Sequence, residues 1–210
     1  MFMKALSSLE PIDVPKRYTA IIRKEHDDEY HLGSLLKKVL PEINIVATDE
    51  PATGALRDAY RATEFLRAGE GVFIMDCDIW IHSDEYFSVI KQTLNDELDL
   101  DGGLLLFKPD SDHFSFAALD ENSMVTRTAE KQAISKFAIG GGYFVGAVEI
   151  FDRAARAVFQ QPLTEDRKEY YVSFLYNEIV ARGGKVRGCL GEFTSFGTPE
   201  ELAQYAASKA

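Results

Sequence analysis

Gly71-Val72-Phe73-Ile74-Met75-Asp76-Cys77-Asp78-Ile79-Trp80 runs five residues suited to a buried strand straight into two carboxylates. A short apolar run without alternation reads as a strand covered on both faces, as in a parallel sheet. Open α/β sheets collect ligands at the carboxyl ends of their strands, which is where Asp76 and Asp78 fall. In extended chain, side chains two apart point the same way, so both carboxylates are expected to face one point. Such a pair suits Mg²⁺ or Mn²⁺, hard cations that take oxygen ligands and carry phosphates. The competing reading is that these acids only cap the loop or helix that follows. On this pattern 71–75 is the central strand, and the two acids are candidate metal ligands.

Working outward from it, the chain alternates strand and helix. Residues 18–23 read as a strand and 27–40 as one helix, closed by Pro41. A strand at 43–46 follows, then a helix through Leu56, Ala59, Tyr60, Thr63 and Phe65-Leu66, with Gly69 as its stop. After the opening strand comes a helix from Ser83, its first turn carrying Asp84 and Glu85. This spacing predicts βαβ units and a mostly parallel sheet. The second half changes character, with a buried strand at 103–107 and a hairpin around Asp120-Glu121-Asn122-Ser123. A strand over 137–145 is interrupted by Gly140, Gly141 and Gly142, signalling either backbone close to a ligand or a crowded strand crossing. Helices at 147–159 and 169–181, a strand at 185–190 and a final helix opened by Pro199 complete the chain.

At 210 residues the chain reads as one globular domain with room for a sizeable core, without repeats or linkers. A formal charge of −11 argues against a nucleic-acid or anionic-membrane surface. Small phosphorylated ligands remain compatible, because a bound cation reverses the sign locally. The 2 cysteines, Cys77 and Cys189, lack metal-site spacing, and no long apolar run or signal-peptide layout is present. A reducing cytoplasm is the expected location. The 4 histidines are scattered, and none stands in a base arrangement with Ser or Cys.

With these pieces placed, the order of segments resembles the sugar nucleotidyltransferases (nucleotide-sugar pyrophosphorylases), within the nucleotide-diphospho-sugar transferase superfamily. Four segments carry the resemblance, from about residue 18 to the end. Glu50-Pro51-Ala52-Thr53-Gly54-Ala55 is similar to the loop and helix start that meet the base and ribose. Met75-Asp76-Cys77-Asp78 stands where the family has Asn-Gly-Asp, whose last acid binds the metal. Glu130-Lys131 and Gly141-Gly142-Tyr143-Phe144 resemble the pair and the glycine strand that hold the sugar. Phe193-Thr194-Ser195-Phe196-Gly197-Thr198-Pro199-Glu200-Glu201-Leu202 looks like the closing Trp-x-Asp-x-Gly-Thr-Pro-Glu-Asp-Leu. The resemblance implies a Rossmann-like three-layer α/β sandwich with a mixed, mostly parallel sheet, and a single nucleotidyltransferase-like domain over 1–210. It also implies nucleotidyl transfer from a nucleoside triphosphate to a sugar 1-phosphate with Mg²⁺ or Mn²⁺. Asp78 and Lys131 take the catalytic roles. Gly54, Ala55, Asp76, Glu130, Gly141 and Arg23 contact substrate, and Asp78 with Asp76 holds the metal.

Physical chemistry agrees with those roles. Glu130 can accept hydrogen bonds from sugar hydroxyls and Lys131 can neutralise phosphate as a point charge; the plain alternative is a solvated strand end. Arg23 reads either as a phosphate contact or as one half of a surface ion pair. Gly197-Thr198-Pro199 doubles as a turn before a helix. Two departures stand out. The family's Gly-x-Gly-x-Arg phosphate loop and the strand before it do not precede Tyr18, so the first strand is expected to be missing. Its place lies between 18–23 and 71–75, and those strands are expected to pair directly or to have the gap filled by another segment or chain. Ser195 replaces the family's second metal-binding acid, with Asp76 as the expected compensation. Two other functions follow from these departures: a glycosyltransferase using Asp76-Cys77-Asp78 as an Asp-x-Asp metal motif, or a non-catalytic nucleotide-sugar-binding domain. The sequence does not name the base or the sugar, and it admits a homo-oligomer.

Overall fold

A computed structural model describes residues 1–50, 53–165 and 167–207. In chain order the elements are α1 (Phe2–Ser7), β1 (Thr19–Arg23), α2 (Lys24–Tyr30), α3 (Leu32–Val39) and β2 (Asn44–Thr48), then α4 (Ala55–Tyr60), which runs into a 3₁₀ turn at Arg61–Phe65. Next come β3 (Val72–Met75), β4 (Ile79–His82), α5 (Asp84–Leu94), β5 (Gly102–Phe107), β6 (Ser115–Leu119), β7 (Val125–Glu130) and β8 (Ala138–Val145). The chain closes with α6 (Val148–Phe159), α7 (Phe174–Ala181), β9 (Val186–Leu190), β10 (Glu192–Ser195) and α8 (Pro199–Ala207).

The spine of the fold is β8, all of whose residues are buried. Along one side it pairs antiparallel with β5. Along the other it meets β3 at its Val145 end and β6 at its Ala138 end, again antiparallel. Beyond β5, β9 runs parallel from Gly102↔Val186 to Leu106↔Leu190. The β6–β7 hairpin curls back until Met124 bridges Arg187 of β9.

Side chains alternate across this sheet and build two cores. Leu104, Leu106, Tyr143 and Val145 face α6 and α7, packing with Phe151, Ala155, Val158, Leu175 and Tyr176. Leu105 and Phe144 face the other way, onto Ile79, Ile81, Tyr86, Phe87 and Ile90 from β4 and α5. Helices therefore cover both faces, giving the three-layer α/β sandwich with a mixed sheet. Two buried tyrosines tie the layers to the strands. Tyr86 Oη donates to the Gly142 carbonyl at 3.0 Å, and Tyr176 Oη to the Phe144 carbonyl at 3.1 Å.

Several expectations are corrected. Antiparallel pairs outnumber parallel ones, because β8 opposes each strand beside it. Parallel pairing is confined to β5–β9 and β1–β2. β8, not 71–75, is the central strand, and β3 pairs on one side only among the described residues. The expected single helix over 27–40 is two, split at His31, which sits in the left-handed region at φ 52. The expected helix at 169–181 forms only from Phe174. The antiparallel pair β4–β10 went unforeseen, since four-residue strands carry little periodicity.

β1 pairs only with β2, and β1 and β3 do not pair; among the described residues no strand lies along the outer edge of either. The two-stranded unit has a separate small core of Ile22, Leu36 and Ile43. Direct pairing, or filling of the gap by another segment or chain, was expected because unpaired buried backbone is costly. Here most residues of both strands are only half-buried, so water can reach the outward groups. An Arg17–Glu70 ion pair ties the start of β1 to the start of β3.

Candidate active site

The site grows from the end of β3. The strand stops at Met75, and Cys77–Asp78 form a turn before β4 begins at Ile79. Because of that turn the same-side argument for residues two apart does not hold, and the two acids meet different neighbours. Asp76 lies against the glycine run of β8. A Cβ placed on Gly141 would stand 3.3 Å from Asp76 Oδ2 and 2.6 Å from Ile79 Cδ1. Gly141 has φ +72, so any other residue there is strained. Gly140 and Gly142 instead admit Leu105 and Ile81 at 2.6 Å, which makes those two a crowded strand crossing.

Asp76 touches solvent on one side yet is ringed by protein atoms. Burial, and then the Asp78 charge, pushes its carboxyl up to about 6. The same surroundings, with Asp78 and Asp76, push up the Cys77 thiol. Beyond Asp76 lies buried Tyr143, whose hydroxyl is held well above the usual tyrosine range by burial, then by the charges of Asp76 and Glu130. Glu130, half-buried at the end of β7, accepts hydrogen bonds on Oε1 from the Ser115 and Ser173 hydroxyls. Lys131 follows with φ 50, an uncommon conformation for a non-glycine residue. Its N–H donates to the Phe114 carbonyl at 3.0 Å, and its exposed ammonium lies 5.7 Å from the Tyr171 ring centre. Asp76, Gly141, Tyr143, Glu130 and Lys131 thus share one stretch of the molecule.

Asp78 faces the chain's closing segment. Its carbonyl accepts from the Phe196 N–H at 2.7 Å, and a Cβ on Gly197 would stand 3.1 Å from Asp78 Oδ2. The remaining residues singled out in the sequence have other neighbours. Gly54, at φ +117, is pressed on the backbone of Tyr170, where a Cβ would come within 2.5 Å. That backbone bonds Thr53 and Leu56 on either side, so the glycine serves the chain's own packing. Ala55 is exposed at the start of α4, and Arg23 Nη1 donates to the Glu50 carbonyl at 2.6 Å. Pro51 and Ala52 of the same loop lie outside the described residues. A cleft of ≈ 380 Å³ beside that loop is lined by Glu50, Thr53, Arg57, Tyr60 and Arg61.

Sequence reasoning passed over Ser115, Ser173 and Glu201. Nothing local marks the two serines. Glu201 was legible as the fourth residue of Thr198-Pro199-Glu200-Glu201, a capping-box pattern. The box is present: Thr198 N–H donates to Glu201 Oε2 at 3.0 Å and Glu201 N–H to Thr198 Oγ1 at 3.2 Å.

No protein-family model matches the chain, and no curated protein matches it. Solved structures do. A nucleoside-diphosphate-sugar pyrophosphorylase from Vibrio cholerae superposes with a TM-score of 0.80 at 20% identity, over 98% of this chain and 86% of that one. An inositol-1-phosphate CTP transferase from T. maritima gives 0.71 at 13% identity, covering 99% and 80%. A Bacillus anthracis protein assigned as a glucose-1-phosphate thymidylyltransferase gives 0.73 at 20%, covering 99% and 81%. The chain is an α/β protein, and its fold is the one that these three proteins share.

Proposed function

We propose that the chain is a sugar-1-phosphate nucleotidyltransferase domain, moving a nucleotidyl group from a nucleoside triphosphate to a sugar phosphate. The observation that carries this reading is the end of β3. Asp78 there faces the closing segment, while Asp76 leads through Gly141 and Tyr143 to Glu130 and Lys131. On this fold, that supports a phosphate end and a sugar end side by side. Glu130, already steadied by two serine hydroxyls, would accept from sugar hydroxyls. Lys131 would meet the sugar phosphate, and Gly141 lets the backbone pass close to the ring. The cleft by Glu50 and Thr53 supports the placing of base and ribose near Gly54 and Ala55, with Arg23 bracing that loop.

Carboxylate oxygens at a strand end fit Mg²⁺ or Mn²⁺, and Gly197 leaves a cradle beside Asp78 that a Cβ would fill. Asp78 would hold the cation, with Asp76 beside it, and the bound cation would neutralise phosphate charge. In-line attack at the α-phosphorus then asks mainly for positioning from the chain's own residues. The reading places the work in the cytoplasm, in carbohydrate biosynthesis. Among the described residues, no helix is long and apolar enough to cross a membrane.

Incubation with Mg²⁺, each labelled nucleoside triphosphate and a panel of sugar 1-phosphates tests the reading. Pyrophosphate release that Asp78→Asn abolishes is the expected result. One observation favours a second reading. Ser195, a serine where the closing motif that the sequence resembles has an acid, suits a domain that binds nucleotide sugars without turnover. Tight nucleotide-sugar binding with no pyrophosphate from any pair would establish that second reading instead.

A further inference from the structure

Glu201 is accounted for by its capping box only in part. Its Oε2 also accepts from Ser195 Oγ at 2.9 Å, a bond that the helix cap does not need. That second bond draws the carboxylate over the open side of Gly197. Around the point where a Cβ of Gly197 would sit, Asp78 Oδ2 lies at 3.1 Å, Ser195 Oγ at 3.5 Å and Glu201 Oε2 at 3.7 Å. Three oxygens from three parts of the chain (the turn after β3, the end of β10 and the first turn of α8) therefore converge on a space that only glycine leaves free.

We propose that Glu201 is the second carboxylate of the divalent-cation site, paired with Asp78, and that the Ser195 hydroxyl is its positioning residue. The inference rests on the nucleotidyltransferase reading and deepens it. It moves the second acid from Asp76, which faces Gly141 and Tyr143, to a residue six positions beyond Ser195 in the sequence. Two carboxylates and a hydroxyl suit Mg²⁺, which keeps several of its waters and takes one or two protein carboxylates. Among the described residues no three Asp, Glu, His or Cys side chains gather, so a water-rich site of this kind is the one the donors can build. The converging oxygen, Oε2, already accepts from Ser195 Oγ and Thr198 N–H, and Oε1 of the same carboxylate is in neither bond, so it is the oxygen offered to the cation.

The test is a Mn²⁺ titration followed by paramagnetic broadening of backbone amide signals in the full chain. In the wild type, broadening is expected to centre on Asp78, Phe196 and Gly197. Glu201→Gln keeps a capping-box side chain, so the melting temperature should hold while the Mn²⁺ needed rises by about tenfold. If Glu201→Gln unfolds the protein, Ser195→Ala carries the test. It leaves the cap intact, and weaker broadening supports the inference whereas unchanged broadening overturns it. Loss of the effect in Asp78→Asn together with none in Glu201→Gln overturns the inference and leaves the nucleotidyltransferase reading standing. Absence of any localised broadening in the wild type overturns both.

Discussion

The environment of Asp76 opposes its charge. Its carboxyl is raised to about 6, so the fold favours the protonated form. Stability from this group is complete below the ordinary carboxylate range and is lost as pH climbs through about 6. Asp76→Asn should therefore leave the melting temperature unchanged near pH 4 and raise it by a few degrees above pH 7; because the carboxylate reaches solvent, the gain is screened. Equal melting curves at both pH values would show that Asp76 is not under strain. Lys131 makes a separate prediction: Lys131→Ala should lower kcat/KM for the sugar phosphate by about 10²-fold, with the triphosphate KM little changed. A variant as active as the wild type would remove Lys131 from the site. Both residues could be read from sequence, because strand-end acids and a Glu-Lys pair are local patterns. Ser115 and Ser173 could not, since they meet Glu130 from far along the chain and nothing beside them says so.

Among elements, α5 was the most legible. Ser83 caps it by accepting from the Tyr86 N–H at 3.1 Å, as its sequence signature implies. Ser83→Ala should cost about 1 kcal/mol in chemical unfolding, and more if the bond from Ser83 Oγ to the Leu190 carbonyl counts as well. The directions of strand pairing were less legible. Apolar runs such as Gly102–Phe107 say that a strand is buried on both faces, not which way its neighbour runs. Among the described residues, β1 and β3 each have one edge that pairs with no strand. Amides of β1 and β3 that point away from β2 and β8 should exchange fast, and those of β5 should be among the slowest. Uniform protection across β3 would mean that its outer edge is paired in solution, against the topology described here.

At the scale of the whole molecule, the two cores on either side of β5 and β8 hold the site's platform in place. Leu104, fully buried among Tyr143, Tyr176 and the α6–α7 layer, belongs to one of them. Leu104→Ala should destabilise by about 2–5 kcal/mol in denaturant unfolding, and a loss well under 1 kcal/mol would show that this face collapses around the change. The overall α/β order was legible because alternating strand and helix signals survive in the sequence. The convergence of Asp78, Ser195 and Glu201 was not, because it depends on β10 pairing with β4 and bringing α8 beside the turn after β3. If phosphate and sugar meet at the end of β3, a crystal structure with Mn²⁺ and a nucleotide sugar will show metal density at Asp78 and the sugar within hydrogen-bond reach of Glu130. A nucleotide sugar bound elsewhere, with Asp76 and Asp78 contacting only protein, would rule that meeting point out.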